Sequence, residues 1–168
     1  MNKILIALLI FTFFSKAALA SSMRSIGEKG VEDQVTKTVE IKMYDNYFEP
    51  NIIKVKKGET VKFIVSNLGE LVHEYNIATK EMHIKHQPEM MKMVEHEILL
   101  ADKIDHRKME MMSKKDHSMG HKHSNSVLLE PNKKGEIIWK FNTDANLEAA
   151  CNVPGHYEAG MVAKIIKN

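Results

Sequence analysis

Residues 151–161 read Cys-Asn-Val-Pro-Gly-His-Tyr-Glu-Ala-Gly-Met, and this stretch decides how the chain is interpreted. It places Cys151, His156 and Met161 at regular intervals on one segment between two predicted strands. A thiolate, an imidazole and a thioether are soft or borderline donors, which favour copper over magnesium, calcium or manganese. The Pro-Gly pair between the cysteine and the histidine allows the segment to turn, so that both side chains can point at one ion.

A trigonal site of one cysteine and two histidines with a weak axial methionine is the arrangement of a blue-copper centre, so a second histidine is required. His73 is the best candidate, because it lies at the start of a predicted strand. The other upstream histidines all lie in one segment of unusual composition, residues 80–124. In this interpretation Cys151 supplies the thiolate, the two histidines complete the plane, and Met161 is the axial donor. The chain has one cysteine, which excludes an internal disulfide and a four-cysteine zinc site.

Short stretches in which apolar and polar residues alternate occur on both sides of that unusual segment. Residues 61–66 and 137–141 alternate in this way, as expected for strands with one buried face. The other predicted strands cover residues 38–43, 53–57, 72–78, 127–130, 147–151 and 161–166. About eight short strands separated by turn residues predict an all-β sandwich or barrel.

The unusual segment, residues 80–124, is predicted to be an insertion in the β-domain. Between residues 82 and 123 lie eight of the 12 methionines and seven of the nine histidines of the chain. A loop of this length inside a compact domain is uncommon and is usually functional or disordered. Helical spacing of apolar residues, with Pro88 at the start, predicts a helix across residues 89–101. Residues 113–124 are polar and are predicted to form a mobile tail.

The composition of the insertion predicts a second, weaker copper-binding region, because thioethers bind Cu(I) and imidazoles bind either copper state. The side chains that could take part are Met90, Met91, Met93, Met109, Met111, Met112, Met119, His121 and His123. His83 and His86 form a further local pair that could chelate copper. Two simpler interpretations stay open. Met90 and Met93 could form a helix face that packs on the sandwich, and the last histidines could belong to a solvated tail.

Residues 1–20 have the features of a secretory signal peptide. Lys3 precedes an almost wholly apolar run from Ile4 to Phe14, and Ala18-Leu19-Ala20 fits the cleavage pattern. The alternative is an uncleaved anchor, but the apolar run is shorter than the roughly 20 residues that a membrane span needs. The sequence therefore predicts an exported, soluble protein without a membrane span after cleavage, which in a Gram-negative bacterium places it in the periplasm.

The charge balance argues against nucleic acid as a partner. The sequence has 24 Lys and Arg against 22 Asp and Glu, and removal of residues 1–20 takes away two lysines and no acid. The mature chain is then formally neutral, whereas nucleic-acid-binding proteins usually carry a basic excess on one face. We therefore expect no nucleic acid as a partner. The expected partners are copper ions and a redox or copper-transfer protein, and the chain is expected to be a monomer.

The loop at residues 151–161, together with the upstream Val-His-Glu-Tyr-Asn-Ile at residues 72–77, resembles the cupredoxins, especially the plastocyanin and azurin group. The resemblance covers residues 35–78 and 127–168, which is nearly all of the mature chain outside the insertion. It implies a Greek-key β-sandwich with one type 1 copper at one end. The implied ligands are His73, Cys151, His156 and Met161.

The resemblance also implies that Asn67 braces the site by hydrogen bonds near Cys151. One departure is Ala149, two positions before the cysteine, where many relatives carry an aromatic residue; this affects the local packing and the electron route rather than the ligands. We expect a flexible lead at residues 21–34 and a cupredoxin domain at residues 35–168, interrupted by the insertion.

Two functions are compatible with this architecture. The Met/His-rich insertion favours a periplasmic type 1 copper-binding protein for copper handling and tolerance, as in the exported copper-tolerance cupredoxins that the chain resembles. The alternative is a diffusible one-electron carrier to a terminal oxidase or reductase. We expect no enzymatic activity, because multicopper oxidases need a trinuclear cluster built from several paired His-x-His motifs. This chain has one such motif, at residues 121–123.

Overall fold

The structure is a computed structural model that describes residues 25–168. The predicted signal peptide at residues 1–20 lies outside the described residues. The strands are β1 (Glu28–Lys29), β2 (Lys37–Tyr44), β3 (Tyr47–Glu49), β4 (Ile52–Val55), β5 (Thr60–Asn67), β6 (His73–Ala78), β7 (Ser126–Leu129), β8 (Lys134–Lys140), β9 (Glu148–Ala150) and β10 (Val162–Lys167). The helices are α1 (Lys80–Glu95), α2 (His106–Ser113) and two 3-10 helices, Glu32–Gln34 and His117–Gly120. None of the helices in the described part is long and apolar enough to cross a membrane.

The strands form two five-stranded sheets that pack around one core. The first sheet has the order β1-β8-β5-β2-β3, and the second has the order β4-β10-β9-β6-β7. The pairs β2–β5 and β4–β10 are parallel, and the other neighbouring strands are antiparallel. This arrangement confirms the predicted all-β sandwich with a partly helical insertion, which lies between β6 and β7.

Aromatic side chains in the core join the two sheets. The ring centroid of Phe63 in β5 lies 5.7 Å from that of Tyr75 in β6, and 6.2 Å from that of Phe141, which follows β8. All three side chains are fully buried. Burial of a large apolar side chain stabilises a fold by about 1.5–3 kcal/mol. These contacts therefore fix the position of β6, which matters because β6 begins with His73.

The described part of the predicted flexible lead, residues 25–34, packs on the first sheet instead. β1 pairs with β8, and the Trp139 indole N–H donates a 3.1 Å hydrogen bond to the carbonyl of Ile26, which is fully buried. Gly27 permits this close approach, because a Cβ there would lie 2.5 Å from the carbonyl oxygen of Lys140. A single apolar residue among polar neighbours has no periodic pattern, so the sequence did not reveal this contact.

The main helix of the insertion begins and ends earlier than predicted. α1 spans Lys80–Glu95 rather than residues 89–101. The side chain of Thr79 caps its start by accepting a backbone hydrogen bond, so Pro88 lies inside the helix rather than in its first turn. The helix ends just before Glu97, whose φ of 53° is left-handed. A left-handed residue is a common way to terminate a helix.

The predicted mobile tail at residues 113–124 is folded against the rest of the insertion. It contains the second 3-10 helix, in which Met119 is only 1% exposed. Met119 belongs to an apolar cluster that we call the methionine-rich core, formed by Val72, Met90, Met93, Ile98, Leu99, Ile104 and Met119. Because Val72 precedes β6, this core attaches the insertion to the sandwich next to His73.

Candidate metal centre

Three strands of the second sheet bring the four predicted ligands to one end of the sandwich. His73 is the first residue of β6, Cys151 directly follows β9, and Met161 directly precedes β10. β9 pairs with both β6 and β10. The Cys151 N–H donates a 3.1 Å hydrogen bond to the carbonyl of Met161, which closes the loop that carries His156.

Two glycines shape this loop. Gly155 and Gly160 have φ angles of 87° and 88°, a conformation that residues with a Cβ rarely adopt. The His156 N–H donates to the carbonyl of Val153, and the Met161 N–H donates to the carbonyl of His156, each over 3.0 Å. The loop therefore folds back on itself and returns His156 to the side of Cys151.

The metal-binding atoms of three ligands converge. His73 Nδ1 and His156 Nδ1 are 3.2 Å apart, and Cys151 Sγ lies 3.9 Å from the first and 3.4 Å from the second. Metal bonds of about 2.0 Å to nitrogen and about 2.3 Å to sulfur place the donors of a trigonal site roughly 3.5–3.7 Å apart. The three atoms thus stand within a few tenths of an ångström of the spacing that a trigonal metal ion requires. Met161 is fully buried in the same core cluster as Cys151.

Burial sets the protonation of these groups. His73 and Cys151 are fully buried, and His156 is partly exposed. Burial lowers the pKa of both histidines, although Asp45 opposes this effect at His73. Burial also raises the pKa of the Cys151 thiol to about 12. The imidazoles are therefore neutral and ready to donate at neutral pH, while a metal ion must displace the thiol proton, because the thiolate is the ligand.

Asp45, in the turn between β2 and β3, orients the His73 ring. Asp45 Oδ1 lies 2.8 Å from His73 Nε2, so the other ring nitrogen faces Cys151. The backbone N–H groups of Glu70 and Leu71 donate to the same carboxylate and hold it in place. A carboxylate behind a ligating histidine fixes its tautomer and its direction. Sequence reasoning missed Asp45, because nothing in the residue spacing connects this turn with His73.

Asn67 braces a different part of the site from the part predicted. Its side-chain amide donates two 2.8 Å hydrogen bonds, to the carbonyl of Leu71 in the loop before His73 and to that of Leu129 in β7, and so ties this loop to β7 rather than bracing Cys151. The group that reaches the sulfur is the backbone N–H of Glu74, 3.3 Å from Cys151 Sγ. A hydrogen bond donated to a thiolate stabilises its charged form. Sequence reasoning missed this contact, because a backbone donor leaves no trace in residue type.

Most of the predicted methionine ligands of the insertion belong to apolar packing. Three of them are buried in the methionine-rich core: Met90, Met93 and Met119. Two more pack against that core, Met109 and Met112, and two are exposed, Met91 and Met111. Met90 and Met93 therefore form a packed helix face, as the simpler interpretation had it. Side-chain packing accounts for the positions of five of the seven predicted methionine ligands without a metal ion.

The predicted histidine ligands of the insertion are not on a solvated tail. The His121 side chain is only 2% exposed, and its Nε2 lies 2.8 Å from Glu74 Oε1. The His123 ring packs against the rings of His121 and His86. Glu74 was not among the predicted ligands, and His86 was predicted only as a local pair with His83, because the folding of the insertion is what brings both residues beside His121 and His123.

The chain is similar to a known domain family and to known copper proteins. A family model described as a cupredoxin-like domain matches residues 3–103, a range that includes His73 and ends before the loop of Cys151. The copper-resistant cuproprotein CopI of Pseudomonas aeruginosa is 39% identical over 160 residues, which cover 90% of this chain and 88% of the relative. The protein of the same name from Rubrivivax gelatinosus is 31% identical over 141 residues, which cover 83% of this chain and 72% of the relative.

A solved structure shares the fold. Dithionite-reduced auracyanin from Roseiflexus castenholzii matches with a TM-score of 0.57 and 15% identity, over 80% of this chain and 98% of its own. At this identity the likeness concerns the architecture of the sandwich, while the curated relatives above extend the similarity over most of the chain. From its family match, its relatives and its fold, the chain belongs to the cupredoxin family.

Proposed function

We propose that this chain is a periplasmic type 1 copper protein that handles copper and contributes to copper tolerance. The observation that carries the proposal is the convergence of His73 Nδ1, His156 Nδ1 and Cys151 Sγ at distances of 3.2–3.9 Å. One thiolate and two imidazoles, with the buried Met161 at the end of the same loop, form a donor set that favours copper. The residues present therefore fit this metal, and we propose these four as its ligands.

The protein holds these donors through contacts that do not involve a metal. When bound, copper supplies one-electron exchange between Cu(I) and Cu(II). Asp45 fixes the direction of the His73 ring, and the backbone N–H of Glu74 reaches the sulfur of Cys151. Because the hydrogen bonds of the surrounding strands set these positions, little rearrangement of the protein is needed when the charge at the site changes.

The role in copper tolerance and the location rest on further observations. The relatives from Pseudomonas aeruginosa and Rubrivivax gelatinosus are named copper-resistant cuproproteins. The insertion concentrates methionine and histidine between residues 82 and 123, so we propose that it binds additional copper more weakly than the type 1 site. The periplasmic location follows from the predicted signal peptide at residues 1–20.

A second candidate function is one-electron transfer to a partner protein. His156 is the partly exposed histidine of the site, and an apolar depression adjoins it, lined by Leu71, Val94, Leu99, Leu100, Ala101, Val153 and Pro154. Exposed apolar surface commonly marks a site of protein contact. The insertion supplies Val94 and residues 99–101, so part of this surface is specific to chains that carry it.

Copper titration of the mature protein tests the type 1 assignment. Cu(II) is added while visible absorption and total bound copper are measured. We expect an intense thiolate-to-copper band that saturates at about one equivalent, followed by further uptake without growth of the band. A protein that binds copper without this band refutes the proposed role of Cys151.

Growth in copper separates the two candidate functions. Cells that lack the protein are supplied with the parent, with Cys151→Ser or with Val94→Lys, which places a charge in the apolar depression at a residue that is 40% exposed. Copper handling predicts that Val94→Lys restores growth in copper as the parent does and that Cys151→Ser does not. If Val94→Lys fails as completely as Cys151→Ser, contact with a redox partner is the essential property.

A further inference from the structure

A second cluster of metal-binding side chains lies beside the type 1 site, where the insertion meets β6. Neighbouring residues of a strand point to opposite faces, so the side chains of His73 and Glu74 diverge. Glu74, His86 in α1 and His121 after the second 3-10 helix each offer one ligand atom, and these atoms lie within 4.8 Å of one another. The sandwich and the insertion therefore build this cluster together.

The cluster is compact. Glu74 Oε1 lies 2.8 Å from His121 Nε2 and 3.5 Å from His86 Nε2. The rings of His86 and His121 have centroids 5.6 Å apart, and the His123 ring lies 5.6 Å from the first and 5.4 Å from the second. Three imidazoles thus gather at a single carboxylate.

The carboxylate of this cluster is removed from water. The Glu74 side chain is fully buried, and those of His121 and His86 are 2% and 12% exposed. Placing an ionised carboxylate in the interior costs several kcal/mol unless a positive partner compensates. A buried carboxylate surrounded by imidazoles can be compensated either by protons on those rings or by a metal ion among them.

Surrounding groups orient the donors inward. His86 Nδ1 lies 2.8 Å from Glu89 Oε2, which turns His86 Nε2 toward Glu74. The side-chain amide of Asn152 donates a 2.7 Å hydrogen bond to Glu74 Oε2, and that of Asn76 donates a 3.0 Å hydrogen bond to Oε1, so the carboxylate is held with Oε1 facing the imidazoles. A carboxylate on the outer nitrogen of a histidine is the usual support of a metal-bound ring.

Two imidazole nitrogens of the cluster lack a hydrogen bond of ordinary length. Nε2 of His123 is buried and has no hydrogen-bond partner among residues 25–168, and the buried Nε2 of His86 has only its 3.5 Å contact with Glu74 Oε1. Buried polar atoms are nearly always paired in folded proteins. One buried nitrogen without a partner and a second with only a long contact, both in one cluster of histidines, therefore point to a ligand that the chain itself does not supply.

We propose that Glu74, His86 and His121 bind a Cu(II) ion, with His123 as a further ligand. Imidazole binds copper, zinc and nickel, and the affinity of sites with nitrogen and oxygen donors is highest for Cu(II) along this series. The cluster contains no thioether, so its donors suit Cu(II) better than Cu(I). The inference rests on the proposed copper handling and deepens it, because it gives the additional copper a site of histidines and a carboxylate instead of methionines.

The test uses the mature chain carrying Cys151→Ser and His156→Gln, which removes two type 1 ligands and leaves the insertion unchanged. Cu(II) is added, bound copper is counted, and the electron paramagnetic resonance spectrum is recorded. We expect about one bound Cu(II) with splitting from imidazole nitrogen. His86→Gln and His121→Gln each weaken this binding at least about tenfold. The matched control is His106→Gln, since His106 lies in the same insertion and its side chain is 69% exposed.

Three outcomes overturn the proposal. The first is unchanged binding when His86→Gln and His121→Gln are combined, and the second is an equal loss of binding in His106→Gln. The third is complete displacement of Cu(II) by Zn(II) at the same concentration, which would assign the site to zinc. Near-ultraviolet circular dichroism verifies the fold of each variant, and Glu74→Gln replaces any variant that does not fold. A failure here with a normal thiolate-to-copper band in the parent refutes this site alone, whereas a parent without that band refutes the type 1 proposal.

Discussion

The two histidine clusters beside β6 differ in the charge they carry before a metal ion binds. At the type 1 site, burial lowers the pKa of His73 and His156, so their rings are neutral. At the second cluster, burial also lowers the pKa of His86, but Glu74 and Glu89 outweigh it and raise that pKa to about 10. The pKa of Glu74 is held well below its usual range by His121 and His86, although burial opposes this.

This difference gives the two proposed metal sites different protonation states before a metal ion binds. The first site is a set of neutral donors at fixed positions, and the thiol of Cys151 must lose its proton when a metal ion binds. The second cluster already contains the ion pair of Glu74 and the protonated His86, so Glu74 has a positive partner without a metal ion. Metal binding to the second cluster exchanges one positive charge for another, and its strength depends on how many protons leave.

The largest effect that separates the two clusters comes from Cys151→Ser. We expect this change to abolish the intense visible band completely, because the band requires a thiolate bound to copper, and to leave Cu(II) binding by the second cluster intact. Visible absorption and copper counting on the same sample measure both properties. Persistence of the band would show that Cys151 is not a copper ligand.

Substitution of methionines tests whether the insertion contributes packing or ligands. Met93 is fully buried, so Met93→Ala should lower the free energy of unfolding by about 2–5 kcal/mol through lost packing and a cavity. Met91 is 45% exposed, and Met91→Ala should change it by less than about 0.5 kcal/mol. Urea denaturation of the metal-free proteins gives both values. If either change removes one bound copper from the folded protein, methionine is a ligand after all.

The ion pair of His86 gives the metal-free protein a definite pH dependence. Its pKa is higher in the folded state, at about 10, than the ordinary 6.5, so the pair contributes stability that is fully present below pH 6.5 and is lost as pH rises through about 10. Near pH 6 we expect the parent to exceed His86→Gln in free energy of unfolding by about 1.5–3 kcal/mol. The difference should shrink toward pH 10 and should be absent for His106→Gln at both pH values. A difference that grows with pH would contradict the charged state of this cluster.

Asp45→Asn should affect the type 1 site alone. An amide can donate a hydrogen bond to His73 Nε2, which favours the tautomer with its proton on Nδ1, the atom that faces Cys151. We expect copper affinity at the type 1 site to fall by about 10–100-fold, while binding by the second cluster stays the same. Competition with a copper chelator measures the affinity. Glu49→Gln is the control, since Glu49 is an exposed carboxylate on β3, and an equal loss there would argue for a general charge effect.

The smallest expected effect is that of Met161→Leu. Leucine keeps the shape and burial of the side chain but removes the sulfur, so the visible band should remain and the reduction potential should rise modestly, because the more highly charged Cu(II) loses a weak donor. A redox titration followed at the visible band measures the shift. An unchanged potential would indicate that Met161 packs beside the site without contributing to it.

The sequence could point to a ligand loop because Cys151, His156 and Met161 lie on one short segment whose spacing is visible directly. His73 could be proposed as the further ligand because the other upstream histidines all lie in the insertion. Asp45 could not, because it reaches His73 from another sheet, through a turn whose sequence has no special feature. The alternating strands predicted the sandwich for the same local reason, since the pattern of a strand is contained within the strand.

The second cluster shows what local patterns leave out. Composition indicated metal binding in the insertion, but it gave the methionines as much weight as the histidines. The pattern also treated Ile98 as part of a helix, whereas it follows the end of α1 and packs in the methionine-rich core. His86 and Glu74 come from a helix and a strand, so only the tertiary packing of the insertion identifies them as neighbours.

The position of the insertion has a consequence for how such proteins diversify. It enters between β6 and β7, and none of the four type 1 ligand positions lies within it. Glu74 is the shared element, because it borders the sulfur of Cys151 through its backbone and the histidines of the insertion through its side chain. This one segment can therefore differ in length or composition, and with it the number of ions that the protein is proposed to bind, while the proposed type 1 ligands keep their positions.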